Sequence, residues 1–80
     1  MRPTFSQTRW REGYTIAEVD AFLDQVEPRL PTRGRTDEVL AAEITAVRFS
    51  PVRINRGYDM FEVDQYLDAL TARATGRPPG

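Results

Sequence analysis

Cysteine, histidine and lysine are absent from all 80 residues. Without cysteine no disulfide can staple the fold, no thiolate can act as nucleophile or zinc ligand, and the redox compartment is unreadable. Without histidine and lysine the usual general base near neutral pH, the Schiff-base amine and the remaining good zinc ligand are gone. Carboxylates, hydroxyls and arginines are all that is left for chemistry, which argues against an enzyme. An excess of one charge is also missing: 11 basic and 12 acidic side chains give a net charge of −1, unlike a protein that coats nucleic acid through uniform positive charge. Long apolar runs are missing too. None nears the roughly 20 residues that cross a bilayer, and Met1-Arg2-Pro3 leads into no signal-peptide core, so the chain is expected to stay soluble inside the cell. Its length suits one small domain.

What is present is an internal repeat. A shift of 44 positions lays Phe5-to-Leu30 over Phe49-to-Ala74 without a gap, and 11 of the 26 aligned pairs are identical. The identities are Phe5/Phe49, Ser6/Ser50, Arg9/Arg53, Gly13/Gly57, Tyr14/Tyr58, Glu18/Glu62, Val19/Val63, Asp20/Asp64, Leu23/Leu67, Asp24/Asp68 and Arg29/Arg73. Trp10/Ile54, Ile16/Met60, Phe22/Tyr66 and Val26/Leu70 keep their character. The duplication shows which positions the unit needs twice.

The shared centre reads as a helix start. Thr15 with Glu18, and Asp59 with Glu62, have the spacing of a capping box, in which the first residue takes an orphan amide and the glutamate reaches back. Tyr14 on Val19, and Tyr58 on Val63, fit a hydrophobic staple. Gly13 and Gly57 are expected at positive φ just before. Apolar residues at 16, 19, 23 and 26, and at 60, 63, 67 and 70, mark two amphipathic helices. Pro28 should stop the first near Val26 or Glu27; the second can run to about Thr75, before Gly76. Between them, Pro31 to Arg35 is a loop, and Val39, Leu40, Ile44 and Val47 mark a third helix after a cap at Thr36. One domain over 1–80 is therefore expected, with repeat 1 at 5–30, a connecting helix at 36–48, repeat 2 at 49–75 and a disordered tail at 76–80.

Charge is segregated within each copy. Residues 15–27 and 59–70 each sum to −4, whereas the preceding segments 1–14 and 49–58 each sum to +2. Each basic segment carries a bulky apolar residue: Trp10 beside Arg9 and Arg11, Ile54 beside Arg53 and Arg56. An apolar side chain among arginines suits a membrane-interface tip, because the apolar group enters the acyl boundary while guanidinium groups meet lipid phosphate. The same residues also serve as core or loop anchors in so small a protein. Nucleic acid is disfavoured by the acidic helices behind these loops. The pairs Asp20/Asp24 and Asp64/Asp68 lack the six or more oxygens in a loop that calcium wants, so no metal or cofactor is expected; Asp20 or Asp64 is instead a natural anchor for Arg53 or Arg9 of the other copy.

The strings Phe5-Ser-Gln-Thr-Arg-Trp-Arg-Glu-Gly-Tyr-Thr-Ile-Ala-Glu-Val-Asp-Ala-Phe-Leu-Asp and Phe49-Ser-Pro-Val-Arg-Ile-Asn-Arg-Gly-Tyr-Asp-Met-Phe-Glu-Val-Asp-Gln-Tyr-Leu-Asp resemble the N-terminal domain of DivIVA, the bacterial division-site and cell-pole protein. The likeness covers most of the chain, and Ala42-to-Phe49 is similar to the short helix that precedes the family motif. It implies a non-enzymatic protein, cytoplasmic and peripheral at the inner face of the membrane at septa or poles, which recruits division or wall-growth partners. Family domains are parallel two-helix dimers whose crossed loops offer an apolar residue and an arginine to lipid. By position that role falls on Trp10 and Arg11, and on Ile54 and Arg56. A soluble protein-protein adaptor without membrane binding is the alternative.

The expected fold is all-α: three helices, up, down and up, with the two repeat helices parallel as an intramolecular pseudo-dimer. At 1.5 Å per residue the middle helix matches the first repeat helix in length, so it can run back along it and bring both Gly-Tyr loops to one pole. A monomer follows from this, with a homodimer through exchanged helices as the other arrangement.

Overall fold

The three apolar stripes form helices α1 (Ile16–Val26), α2 (Glu38–Ala46) and α3 (Met60–Thr75) in the computed structural model, which describes residues 2–9 and 11–76. Trp10 and the tail residues 77–80 lie outside the described residues. Helix α1 stops at Val26 and passes into a 3₁₀ turn over Glu27–Arg29 that accommodates Pro28. Helix α3 runs to Thr75 and is closed by Gly76 at φ 73°, whose amide donates to the Ala72 carbonyl. Helix α2 is capped by Asp37, which accepts from the Leu40 amide at 2.9 Å, one residue later than the threonine expected.

The fold is not all-α. Four two-residue strands, β1 (Gln7–Thr8), β2 (Gly13–Tyr14), β3 (Pro51–Val52) and β4 (Gly57–Tyr58), form an antiparallel sheet in the order β1-β4-β2-β3. Every pairing joins one copy of the repeat to the other: β1 with β4, β3 with β2, and Tyr14 opposite Tyr58 at the centre. Strands this short have no period-2 pattern to read, so the sequence carries no local signal for them. Pro51 fits because β3 is an edge strand, where a missing amide costs no ladder bond.

The two copies are thus related by a pseudo-twofold through the Tyr14–Tyr58 pair. Both repeat helices leave that point in the same direction: Tyr58, just before α3, bonds Asp20 early in α1, while Tyr66, further along α3, bonds Glu27 at the end of α1. The connecting helix returns the chain, but it packs chiefly against α3 rather than along α1. The Asp37 amide donates to the Ala74 carbonyl at 2.7 Å, which sets the start of α2 against the end of α3. A bidentate pair, Arg29 to Glu43 at 3.0 and 2.7 Å, ties the end of the first repeat to α2.

The core gathers from all three helices. Val19, Leu23 and Val26 meet Leu40, Ala41 and Ile44 of α2 and Val63, Leu70 and Ala74 of α3, with Phe5 brought in by the strand that follows it. No helix among the described residues is long and apolar enough to cross a membrane.

Candidate functional site

The segments that open the two repeat helices cross each other at Gly13 and Gly57. Neither glycine has positive φ; among the described residues Gly34 and Gly76 do. What both positions require is the absence of a side chain. A Cβ on Gly13 would lie 2.8 Å from the Tyr58 carbonyl oxygen and 3.0 Å from the carbonyl carbon of Gly57. A Cβ on Gly57 would lie 2.9 Å from the Tyr14 oxygen and 2.5 Å from Cγ2 of Val52. Two backbones meet here, and a methyl group on either would force them apart.

The glutamates expected to close capping boxes reach across the crossing instead. Glu18 Oε1 accepts from the Ser50 amide, and Glu62 Oε1 from the Ser6 amide, each at 2.8 Å. The physical reason lies in the amide each glutamate was expected to take. The Thr15 amide already donates to the Ser50 carbonyl at 3.0 Å, and the Asp59 amide to the Ser6 carbonyl at 2.8 Å. Glu and backbone together clamp the amide and the carbonyl of one serine of the opposite copy. Asp59 does cap its helix, accepting from the Glu62 amide at 3.0 Å; the Thr15 side chain makes no cap bond and donates its hydroxyl to the Ser50 carbonyl.

Tyr14 and Tyr58 also look outward to the other copy. The Tyr14 hydroxyl donates to Asp64 and the Tyr58 hydroxyl to Asp20, both at 2.8 Å. Their rings meet Phe49 and Phe5 edge to face, with centroids 5.4 and 5.2 Å apart. Asp20 and Asp64 therefore anchor tyrosines, whereas the sequence pointed to Arg53 and Arg9. Burial, followed by the bond to Asp64, pushes the Tyr14 phenol up to about 12, and burial and Asp20 raise Tyr58 as well. Val19 and Val63, the expected staple partners, are fully buried in the core against which Tyr14 and Tyr58 pack.

This crossing holds Arg9, Arg11 and Glu12 of the first copy and residues 53–56 of the second at the end from which both repeat helices start. Ile54 is 93% exposed, the most exposed large apolar side chain among the described residues. Arg9, Arg11, Arg53 and Arg56 are all exposed. Two have partners: Arg11 donates to Asp59 at 2.8 Å, and Arg53 to Glu12 at 3.1 Å. Among the described residues no carboxylate lies within ion-pair distance of Arg9 or Arg56. Trp10, which aligns with Ile54, is outside the described residues. Such a tip has no nucleophile-base pair, and no group of three or more acidic side chains that could hold a metal ion occurs among the described residues. It can offer apolar contact and guanidinium groups.

Two features escaped the sequence reading. Phe61, 69% exposed, extends the apolar surface beside the loops, with Arg11, Glu12 and Asp59 around a shallow cleft next to it; the stripe arithmetic set it off the core face without assigning it a use. Arg2 is the second: its guanidinium donates to Glu27 at 2.7 and 3.1 Å and to Asp24 at 2.7 Å, and it stands 3.9 Å from Asp20. No protein-family model, curated protein or solved structure matches the chain.

Proposed function

We propose that the chain is a non-enzymatic, DivIVA-like module that works close to a membrane and recruits protein partners of the division or wall-growth machinery. The observation that carries this reading is the tip itself: two loops locked together by the glycine crossing, presenting four exposed arginines and a 93% exposed isoleucine at one end. A rigid mount matters because the apolar group is delivered without first ordering a floppy loop. The acidic faces of α1 and α3 run away from that end, which favours approach to an anionic surface by the loops and disfavours approach by the helix sides.

Flotation with vesicles of mixed anionic and neutral phospholipid tests it. The intact chain should float with the vesicles, more weakly as salt is raised and more weakly still with Ile54→Asp or Arg56→Glu, both exposed positions whose substitution leaves the core untouched. Trp10→Ala is expected to act in the same direction. Absence of flotation at low salt would remove the membrane from the proposal and leave the adaptor reading.

A further inference from the structure

Thr36 stands where the cap of α2 was expected, and the structure leaves it without that task. Asp37 takes the Leu40 amide instead, and the Thr36 hydroxyl makes no hydrogen bond among the described residues. The approach to α2 is open: residues 32–36 are all exposed and none belongs to a helix or strand. A turn bends this segment, with the Arg35 amide donating to the Thr32 carbonyl at 3.0 Å and Gly34 at φ 84°. Its far side is fixed. Because the Asp37 amide donates to the Ala74 carbonyl at 2.7 Å, Thr36 stands against the end of α3, where a Cβ on Gly76 would lie 3.4 Å from its Cγ2.

Loop and helix end enclose a cavity of about 530 Å³ whose wall includes Thr32, Arg33, Arg35, Thr36, Arg73 and Thr75 and, among the described residues, no carboxylate. Arg33, Arg35 and Arg73 make no ion pair among the described residues. Asp37, next in sequence, is spent on the Leu40 amide, and Glu38 lies in the first turn of α2, outside that wall. Three guanidinium groups thus share one cavity with no anion to offset their repulsion, beside a free hydroxyl. We propose that Thr36 is a phosphorylation site and that its phosphate is held in this cavity by Arg33, Arg35 and Arg73.

The phosphate dianion presents three acceptor oxygens, and guanidinium forks match phosphate bidentately. It also stands just ahead of Asp37 at the positive end of the 9-residue helix α2, where negative charge is stabilised. Protein kinases select substrates by charge pattern, and Arg33 and Arg35, three and one residues before Thr36, form the pattern that an arginine-directed kinase reads. Thr32 has Arg29 three residues before it, but Arg29 is held by Glu43 at 3.0 and 2.7 Å. The donor is a nucleoside triphosphate. Thr36 Oγ1 forms a bond to the γ-phosphorus, the bond from that phosphorus to the β-phosphate oxygen breaks, the hydroxyl proton passes to the base of the kinase, and nucleoside diphosphate leaves. The phosphate then fastens the loop to the end of α3, beside the contact that the Asp37 amide already makes. This site lies at the end of α3 remote from the Gly13–Gly57 crossing and does not depend on the membrane reading.

The whole chain, synthesised with Thr36 phosphorylated, tests the holding; the unmodified chain, given magnesium, ATP and the catalytic domain of an arginine-directed kinase, tests the transfer. Phosphorus NMR should place the second phosphate ionisation at least about half a pH unit below its ordinary value of about 6, and thermal melting should rise by about 4 °C or more over the unmodified chain. Arg73→Gln changes an exposed position and leaves the core untouched. In that variant both differences between the phosphorylated and unmodified chains should shrink to about half or less. With the kinase, mass spectrometry should find the phosphate on Thr36, and Arg33→Ala should slow its incorporation at least about fivefold. An ordinary phosphate ionisation without a gain in melting temperature, undiminished differences in Arg73→Gln, or phosphate on Thr32 or nowhere would each overturn the proposal.

Discussion

The two copies of the repeat are alike where they meet and different where they face away from each other. Across the pseudo-twofold, glycine meets glycine, each glutamate clamps a serine amide, each tyrosine finds an aspartate and each phenylalanine finds a tyrosine ring, with distances that agree to within a few tenths of an ångström. On the flanks the copies part. Helix α1 has 11 residues and α3 has 16. A segment without regular secondary structure, residues 2–4, leads into the first copy and α2 into the second. Tyr66 with Glu27 becomes Phe22 with Thr71, a hydroxyl and its carboxylate replaced together by a pair that needs neither. The difference teaches that the crossing tolerates little because each position is used by both copies at once, whereas a flank answers only to whatever happens to cover it.

The sharpest attempt to break the symmetry is at its centre. Gly13→Val and Gly57→Val should each cost at least about 3 kcal/mol, since overpacking here pushes backbone against backbone. At about 4–8 °C per kcal/mol for a domain of this size, thermal melting should fall by more than about 12 °C in both, and by similar amounts. A loss confined to one glycine would show that the crossing is not shared.

Leucines that the repeat equates should behave unequally. Leu23 is fully buried, while Leu67 is only partly buried. Leu23→Ala is expected to cost about 3 kcal/mol and Leu67→Ala about half that or less, measured by denaturant unfolding; equal losses would mean that the flanks are as symmetric as the centre. The glutamate clamps come next. Glu18→Gln and Glu62→Gln should each lose about 1 kcal/mol, and by the same amount, because each weakens one charge-assisted bond to a backbone amide.

Titration distinguishes the copies with a smaller effect. Burial first, and then the bonds to Asp64 and Glu27, raise Tyr14 and Tyr66 to about 12, above the ordinary phenol value of 10.0. A raised folded pKa means that the stabilisation is complete below about pH 10 and is lost as pH rises toward 12, so alkaline unfolding should accompany tyrosinate formation. Tyr66→Phe should remove part of that transition. Tyrosines ionising near their ordinary value in a chain that stays folded would contradict the bonding described. On the acid side, Arg2 holds Glu27 below the usual carboxylate range, so its contribution is present near neutrality and lost only as pH falls through that lowered value; Arg2→Ala should abolish this sensitivity in the first copy, with no counterpart at Ala46. Least of all should Gln65→Ala matter. It is exposed and differs between copies, and a change within about 0.5 kcal/mol is expected.

The helices were legible because their signals are local. Thr75 before Gly76, Pro28 after Val26 and the stripes at 16, 19, 23 and 26 each act within a turn or two of themselves. The repeat was legible as well, and with it the list of positions needed twice. The reason they are needed was not. Gly13 and Gly57 satisfy a turn and a backbone crossing equally well in sequence, and Glu18 and Glu62 have the spacing of a capping box whether or not the amide they would take is free. Ile54 could be marked as apolar among arginines, but its exposure depends on β3 and β4 pairing with the opposite copy and lifting the loop clear of the core.

What the sequence determined by itself is therefore the set of helices, the ends of α1 and α3 and the twofold duplication, all fixed by interactions between near neighbours; α2 was expected over 36–48 and runs over Glu38–Ala46. Only the tertiary structure decided that the chain forms a sheet and which amide each glutamate takes. Those choices are made between residues 32 to 56 positions apart in the clamps alone. Their energies exist only once the loop between the copies has closed, and no window along the chain holds both partners.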